Sequence, residues 1–463
     1  MSGKEIKERC FFDDDTLKDV LNDIKNLWLK NTDSPHTNFY YSLLRIAFTG
    51  LKTYDMKTII ARSAILNLIL FSISFLAFYF LAMLLFGRNK ALSYAACFLA
   101  FISSGTISNT IFIRPYQLQE TFFIIFAFCV FRFLHNPRLL FKSGNIFKDV
   151  KFCFAASLIL ALTLLTHYYS IIFVTLLLIY FICCNYKLHL GRNLIVYFGI
   201  ILLSLIFLKL FYLQYFQGFS SYRGKEMIAA AGNANFLSNI GFVFNKTCEI
   251  LHEYYFSTSV IIVLLSIISV YFLKLGTKII VSPNQMAVSL CAFLFLGVLL
   301  YAPYKTVRYI MSVFPLFSII IAAFIVNIQN KKIFYAGIAA ICLAFSLNSV
   351  NADKIDALFK GKAAKFEFLK EAQIPVVIIL EKTWKAEEII PHFLDEQKYF
   401  FTHNIDNIPQ KYSEFYVLVE RAIEEKVDLS KYRTQELTNS WYYTQEKVYV
   451  QKGIVKMDKQ PAH

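Results

Sequence analysis

The chain has 463 residues, 57% of them hydrophobic, with 48 Phe, 28 Tyr and a formal net charge of +15. Water-soluble domains are roughly 45–50% apolar, and here the excess is gathered into long runs, so an ordinary soluble domain is excluded and an integral membrane protein is expected. The positive charge would suit nucleic acid, but the basic residues sit in short loops between apolar runs, which is the pattern of membrane topology.

Residues 1–30 contain no apolar core, so no cleavable signal peptide is visible. The polar segment 1–58 carries Asp13-Asp14-Asp15, then Asp33-Ser34-Pro35-His36, Tyr40-Tyr41 and Arg45. An acid triplet ahead of Leu17 to Leu29 suits a helix cap or a solvated run. It equally suits a general base or a hard-cation site, because carboxylates serve both roles. If a helix begins near Pro35, His36, Tyr40 and Tyr41 share one face. An interfacial amphipathic helix with an aromatic belt gives the same pattern.

A membrane span needs about 20 apolar residues. About ten runs are read as spans: 59–85, 91–112, 117–134, 152–166, 169–185, 194–213, 257–273, 285–303, 308–327 and 332–349. The pair at 152–185 is parted only by Thr166-His167-Tyr168-Tyr169 and reads as a tight helical hairpin. Seven of the nine cysteines (Cys97, Cys129, Cys153, Cys183, Cys184, Cys291 and Cys342) lie inside these runs as small hydrophobes. No Cys-x-x-Cys and no zinc spacing is present.

Loop charges set the expected topology. Arg88 and Lys90, then Arg132 to Lys151, Lys187 and Arg192, Lys274 and Lys278, and Lys331 and Lys332 occupy alternate loops, which are expected to be cytoplasmic. The remaining loops then face outward: those around Arg114, around His167, the long 214–256 segment, and around Lys305 and Arg308. Residues 1–58 and everything after about 350 share that side. Exporting a polar segment of this length calls for an apolar segment ahead of it, so a first span preceding this sequence is expected, the alternative being that the run at 59–85 exports it backwards.

Arg114-Pro115-Tyr116, His167-Tyr168-Tyr169 and Arg308-Tyr309 with Lys305 therefore gather on one face with the acids of 1–58. Singly, each has a plain reading: a snorkelling arginine or a structural loop histidine. Arginine also binds phosphate well, through paired hydrogen bonds.

Residues 350–463 change character. Strand-like runs at Val376–Leu380, Phe415–Val419 and Val448–Val450 alternate with helix-like stretches at 384–394 and 420–426. A small C-terminal α/β domain is expected. The expected division is thus 1–58 as an acidic loop with amphipathic helices, 59–349 as the transmembrane domain, and 350–463 as the soluble domain.

The order of these motifs resembles the GT-C superfamily of polyprenyl-phosphate-sugar-dependent glycosyltransferases, in its bacterial branch related to protein mannosyltransferases and lipid A aminoarabinose transferases. Asp13-Asp14 stand where that branch has an acidic pair. Asp33, His36 and Tyr40-Tyr41-Ser42-Leu43-Leu44-Arg45 follow its Asp-x-His-Pro-Pro-x-Tyr-Tyr-x-Leu-Leu-Arg. Arg62-Ser63, Leu85-Phe86-Gly87-Arg88, Arg114-Pro115-Tyr116, Thr166-His167-Tyr168 and Arg308-Tyr309 continue the series over roughly 11–325.

The resemblance implies a polytopic α-helical membrane enzyme of the plasma membrane of a bacterium, with its site and C-terminal domain facing outward. It implies a sugar donor on polyprenyl phosphate and an acceptor that is a lipid such as lipid A, a glycan or a protein. Asp13 or Asp14 is then the base. Arg114, Lys305 and Arg308 bind the donor phosphate, and Asp33, His36, Tyr40, Tyr41, Tyr116, His167 and Tyr309 contact substrate. No cofactor is certain, and a divalent cation on Asp13, Asp14 and His36 stays open. A lid role is expected for 214–256.

Three departures stand out. Thr37 and Asn38 replace the two prolines, for which only a change of local shape is expected. Phe112 replaces the glutamate before Arg114. The family's first span is absent from the sequence. A flippase for a lipid-linked sugar, or a glycan ligase or polymerase, remains as the alternative. Few charges lie within the spans, and transporters gather theirs near the midplane.

Overall fold

The structure is a computed structural model. It describes residues 1–11, 16–30, 37–51, 56–135, 146–185, 190–220, 225, 229, 236–275, 281–300, 307–326, 328, 330–349, 373–381, 389–390, 393–403, 412–430, 432–437 and 443–449. The chain divides into two compact units. One comprises Met1–Leu17, Thr49–Ile60 and Phe359–His463; the other comprises Lys18–Phe48 and Ala61–Leu358.

Helix α1 (Gly3–Phe11) belongs to the first unit. The second unit is helical, and every apolar run read from the sequence forms helix in it. Its elements begin with α2 (Leu17–Lys30), α3 (Asn38–Ala47) and α4 (Met56–Leu85). The run at 91–112 is two helices, α5 (Lys90–Phe101) and α6 (Ser104–Ile111), bent by 65°. Ser103 causes the break: its extended backbone stops one helix, and its Oγ accepts the Thr106 amide at 3.2 Å to start the next. Then follow α7 (Tyr116–His135), α8 (Ile146–Leu164), α9 (Ser170–Asn185) and α10 (Leu190–Phe211).

The 214–256 segment contains a 3-10 turn, Tyr215–Ser220, and a full helix, α11 (Phe236–Tyr254). Arg223 of this segment lies outside the described residues. The unit closes with α12 (Thr258–Leu275), α13 (Pro283–Leu299), α14 (Phe314–Val326) and α15 (Lys331–Ser349). The last-but-one run opens with two 3-10 turns, Val307–Tyr309 and Met311–Val313.

Aromatic rings fill the centre of the bundle. Phe123 of α7 stacks on Phe173 of α9 at 4.3 Å, and Phe295 of α13 meets Phe123 edge-on at 5.4 Å. The outer faces are also apolar: Ile65, Leu68, Ile69, Ile73, Leu76 and Phe80 of α4 are all exposed. Water would penalise such a face, whereas lipid does not. Among the described residues, Lys57–Leu85 and Tyr116–His135 are long and apolar enough to cross a membrane, and the bent α5–α6 pair makes a third. Five further apolar stretches of helix, among them Val150–Leu164 and Pro283–Leu299, are shorter within the described residues.

The first unit holds a five-stranded sheet of order β2-β1-β3-β5-β4, built from β1 (Val376–Ile379), β2 (Tyr399–Thr402), β3 (Glu414–Glu420), β4 (Arg433–Glu436) and β5 (Tyr443–Tyr449). β1 pairs in parallel with β2 and β3, and β5 returns antiparallel to β3. β1 reads Val-Val-Ile-Ile because both its faces are covered: Val376 and Ile378 pack with Ile6, Val377 and Ile379 with Phe415 and Ile423. Helix α1 is tied to this sheet by Gly3 N–H donating to Gln397 O at 2.9 Å and Tyr399 N–H donating to Met1 O at 3.0 Å.

The stretch 1–58, read as one unit from sequence, is therefore shared. The apolar face of α1 has a partner in the sheet through Ile6. In the helical unit, Tyr40 of α3 is fully buried, and Arg45 Nε meets Asp23 Oδ2 at 2.6 Å to join α3 to α2.

Candidate functional site

The corner between α6 and α7 presents two candidate residues. Phe112 takes an extended backbone that ends α6, and Pro115 fits the start of the next helix, where its missing N–H costs nothing. Arg114 is exposed at this corner and donates from Nη1 to the Tyr41 hydroxyl at 3.3 Å. Tyr116 is buried, with its ring parallel to that of Phe112 at 6.0 Å.

The turn between α8 and α9 supplies the second group. His167 is buried there, and its Nδ1 accepts the Tyr169 backbone N–H at 3.1 Å. An accepting Nδ1 puts the proton of the neutral ring on Nε2, so His167 is built as a donor at that atom. Its ring lies 5.8 Å from Tyr116, 4.9 Å from Tyr169 and 5.9 Å from Tyr309.

The 3-10 turn before α14 supplies the third. Tyr309 sits edge-on to Tyr116 at 5.8 Å and to Tyr169 at 5.4 Å. The Arg308 guanidinium is 5.4 Å from the Tyr309 ring centre. Arg308 Nε is buried and has no hydrogen-bond acceptor among the described residues. Arg308 thus stands against the Tyr309 ring, and Arg114, two residues before Tyr116, against the Tyr41 hydroxyl. Such a pair can hold an anion, with the rings walling one side.

Helix α3 reaches this region through two side chains at its start. Thr37 Oγ1 donates to the carbonyl of Leu165, and Asn38 Nδ2 donates to the carbonyl of Phe211 at 3.1 Å. Both acceptors lie at helix C-termini, where the last carbonyls lack partners within the helix. The two positions that the family fills with proline thus change more than local shape: proline could make neither bond. Tyr40 donates its hydroxyl to Asn67 Oδ1 at 3.0 Å. Burial, and less strongly the neighbouring Tyr41, push the Tyr40 phenol well above its ordinary range, so it stays a donor.

Tyr41, Arg114, Tyr116, His167, Arg308 and Tyr309 are thus brought together from four parts of the sequence. Tyr40 points into Asn67 rather than toward the rings. Asp13, Asp14, Asp33, His36 and Lys305 lie outside the described residues, and with them the candidate base and the cation set. Sequence reasoning left out Phe112 and Tyr169 as ring partners. Tyr169 follows His167 by two positions and was quoted only as part of its turn; Phe112 was read as a loss of charge.

No family model and no curated protein matches the sequence. Two solved structures are similar to the chain. The chain is similar to the crystal structure of ArnT from Cupriavidus metallidurans bound to undecaprenyl phosphate, at 9% identity, covering 92% of this chain and 97% of that one, with a TM-score of 0.49. It is similar to the same protein in the apo state at 10% identity, covering 92% and 91%, with a TM-score of 0.48.

Proposed function

We propose that this chain is an integral-membrane glycosyltransferase of the GT-C type, taking its sugar from a polyprenyl phosphate. The observation that carries the reading is the buried, unengaged Nε of Arg308 next to Tyr309, whose ring packs on Tyr116 and His167, with Arg114 on the Tyr41 hydroxyl two residues before Tyr116. A buried guanidinium donor without an acceptor costs free energy unless a ligand supplies one, and a phosphate does so.

In this reading the acceptor hydroxyl attacks the anomeric carbon. The new C–O bond forms as the bond to the phosphate oxygen breaks, and polyprenyl phosphate leaves with the electron pair. Arg114 and Arg308, with Lys305, offset the charge that develops on it. The acceptor's proton passes to Asp13 or Asp14. One displacement inverts the anomeric centre. His167 Nε2–H orients the phosphate or the acceptor. Tyr41, Tyr116 and Tyr309 line the sugar, and the residues Asp33 and His36 complete the acceptor side. The site faces the outside of the plasma membrane, and the acceptor is a lipid, a glycan or a protein.

Comparing surface glycolipids and glycoproteins by mass spectrometry, with and without the gene, identifies the product. Loss of one sugar modification in the deletion is expected. It returns with the wild-type gene and stays lost with Asp13→Asn or Asp14→Asn at normal expression. An unchanged glycan profile in the deletion would sink the proposal.

A further inference from the structure

A second group of polar side chains lies inside the helices, behind the corner that carries Arg114. At its centre is Glu120, one turn into α7 and fully buried. Its Oε2 accepts Asn109 Nδ2 at 2.9 Å, and its Oε1 accepts Gln117 Nε2 at 3.0 Å. None of the ion pairs among the described residues includes it.

The two amides extend the network in both directions. Asn109 Nδ2 also donates to the Tyr116 carbonyl at 3.3 Å, which ties α6 to the first residue of α7. Gln117 Oε1 accepts the Thr110 hydroxyl at 2.9 Å, and Gln117 Nε2 reaches Ser74 Oγ on α4 at 3.3 Å. From α4, Asn67 Nδ2 donates to the carbonyls of Thr110 and Phe112, both at 3.0 Å. Asn67 in turn receives Tyr40, the neighbour of Tyr41. The last carbonyls of α6 and the first residues of α7 are thus fixed from three sides.

Desolvating a carboxylate in an apolar bundle is expensive. A leucine would fill the space without that cost. What leucine cannot do is receive two amide donors from two different elements at once. Removing the acceptor leaves Asn109 and Gln117 with buried, unsatisfied N–H groups, and they must turn away to other partners. Both are anchors of the corner.

We propose that Glu120 is a positioning residue: by receiving Asn109 and Gln117 it sets the α6–α7 corner at which Arg114 meets Tyr41. Its consequence for phosphate binding rests on the function proposed above, whereas its geometric claim does not.

The test has two arms in the full chain, reconstituted in lipid nanodiscs. In the first, Tyr41→Cys and Arg114→Cys are introduced together and joined by a short bifunctional thiol reagent. The product is assigned by peptide mass spectrometry, which separates it from native cysteines. The crosslinking rate is expected to fall at least tenfold on adding Glu120→Leu and by a smaller factor, about threefold, on adding Glu120→Gln, which keeps the shape and one oxygen acceptor but turns an NH2 toward the other amide. If Glu120→Leu fails to fold, Gln117→Leu takes its place with the same expectation. A wild-type rate in the leucine variant, or an equal loss in the glutamine variant, overturns the proposal.

The second arm measures binding of a polyprenyl monophosphate. Glu120→Leu and Arg114→Gln are each expected to weaken it about tenfold, and the double variant to be no weaker than Arg114→Gln alone. A purely structural role predicts additive losses instead, and additive losses overturn the link to Arg114. If the wild-type chain binds no polyprenyl monophosphate, the proposed function fails, while the crosslinking arm still decides the role of Glu120.

Discussion

Asn38 donates its side-chain amide to the carbonyl of Phe211, 3.1 Å away, closing the C-terminus of α10 from a helix 173 positions earlier in the chain. Thr37 does the same for Leu165 beside the turn that carries His167. The start of α3 is therefore a clip on two helix ends. Asn38→Ala is expected to lower stability by about 1 kcal/mol, since it removes the partner of a partly buried carbonyl. Thermal unfolding in detergent checks this. An unchanged Tm means that the clip contributes nothing.

Gly105 of α6 is held by a close approach. A Cβ there would lie 2.3 Å from two ring carbons of Phe314, which is fully buried, and 3.3 Å from the Tyr254 carbonyl oxygen. Gly105→Ala is expected to cost about 1–3 kcal/mol by overpacking. Adding Phe314→Leu should recover part of that loss, because the alanine methyl then has room. If the two losses simply add, the contact is not the cause.

His167 has two separable duties. Its ring packs among Tyr116, Tyr169 and Tyr309, and with Nδ1 accepting from Tyr169 the neutral ring carries its proton on Nε2. His167→Phe keeps the ring and removes the donor. Transfer is expected to fall about 10²-fold, with stability lowered by no more than about 1 kcal/mol for the lost Tyr169 contact. Equal loss of activity and of folded protein would make the residue structural only.

In the sheet unit, a Cβ on Gly3 would lie 2.0 Å from the Leu394 carbonyl oxygen, and a backbone oxygen has nowhere to retreat. Gly3→Ala is expected to lift α1 from the sheet and to weaken the bond from Tyr399 N–H to Met1 O. Amide hydrogen exchange at Tyr399 should speed up at least about tenfold. Exchange as slow as in the wild type would mean that α1 does not guard that strand.

The helices were legible in the sequence because apolar runs of this length have few other uses. The break at Ser103 was not, since a two-residue interruption vanishes when hydrophobicity is averaged along a run. The signal was there as Ser103-Ser104-Gly105-Thr106, an N-cap series inside an apolar stretch. β1 and β3 were read correctly from their β-branched and aromatic runs. β4 was missed because Arg-Thr-Gln-Glu on an exposed edge has no apolar alternation to show.

The candidate site was half legible. Arg114, Tyr116, His167, Arg308 and Tyr309 were picked out as chemistry at loop ends, and they meet. Their support was not legible: Asn67, Asn109, Gln117 and Glu120 are isolated polar residues within apolar runs, and only the three-dimensional path of α4, α6 and α7 makes them one network. Thr37 and Asn38 looked like lost prolines, because no sequence pattern tells a side chain which distant carbonyl it will cap.

The central claim is that two guanidinium groups on one aromatic cluster hold a lipid phosphate. Equilibrium binding of a polyprenyl monophosphate to the purified full chain in nanodiscs tests it most directly. Saturable binding is predicted, at least about tenfold weaker in Arg308→Gln and in Arg114→Gln, each with an unchanged Tm. A wild-type chain that does not bind, or two variants that bind as tightly as the wild type, would contradict it.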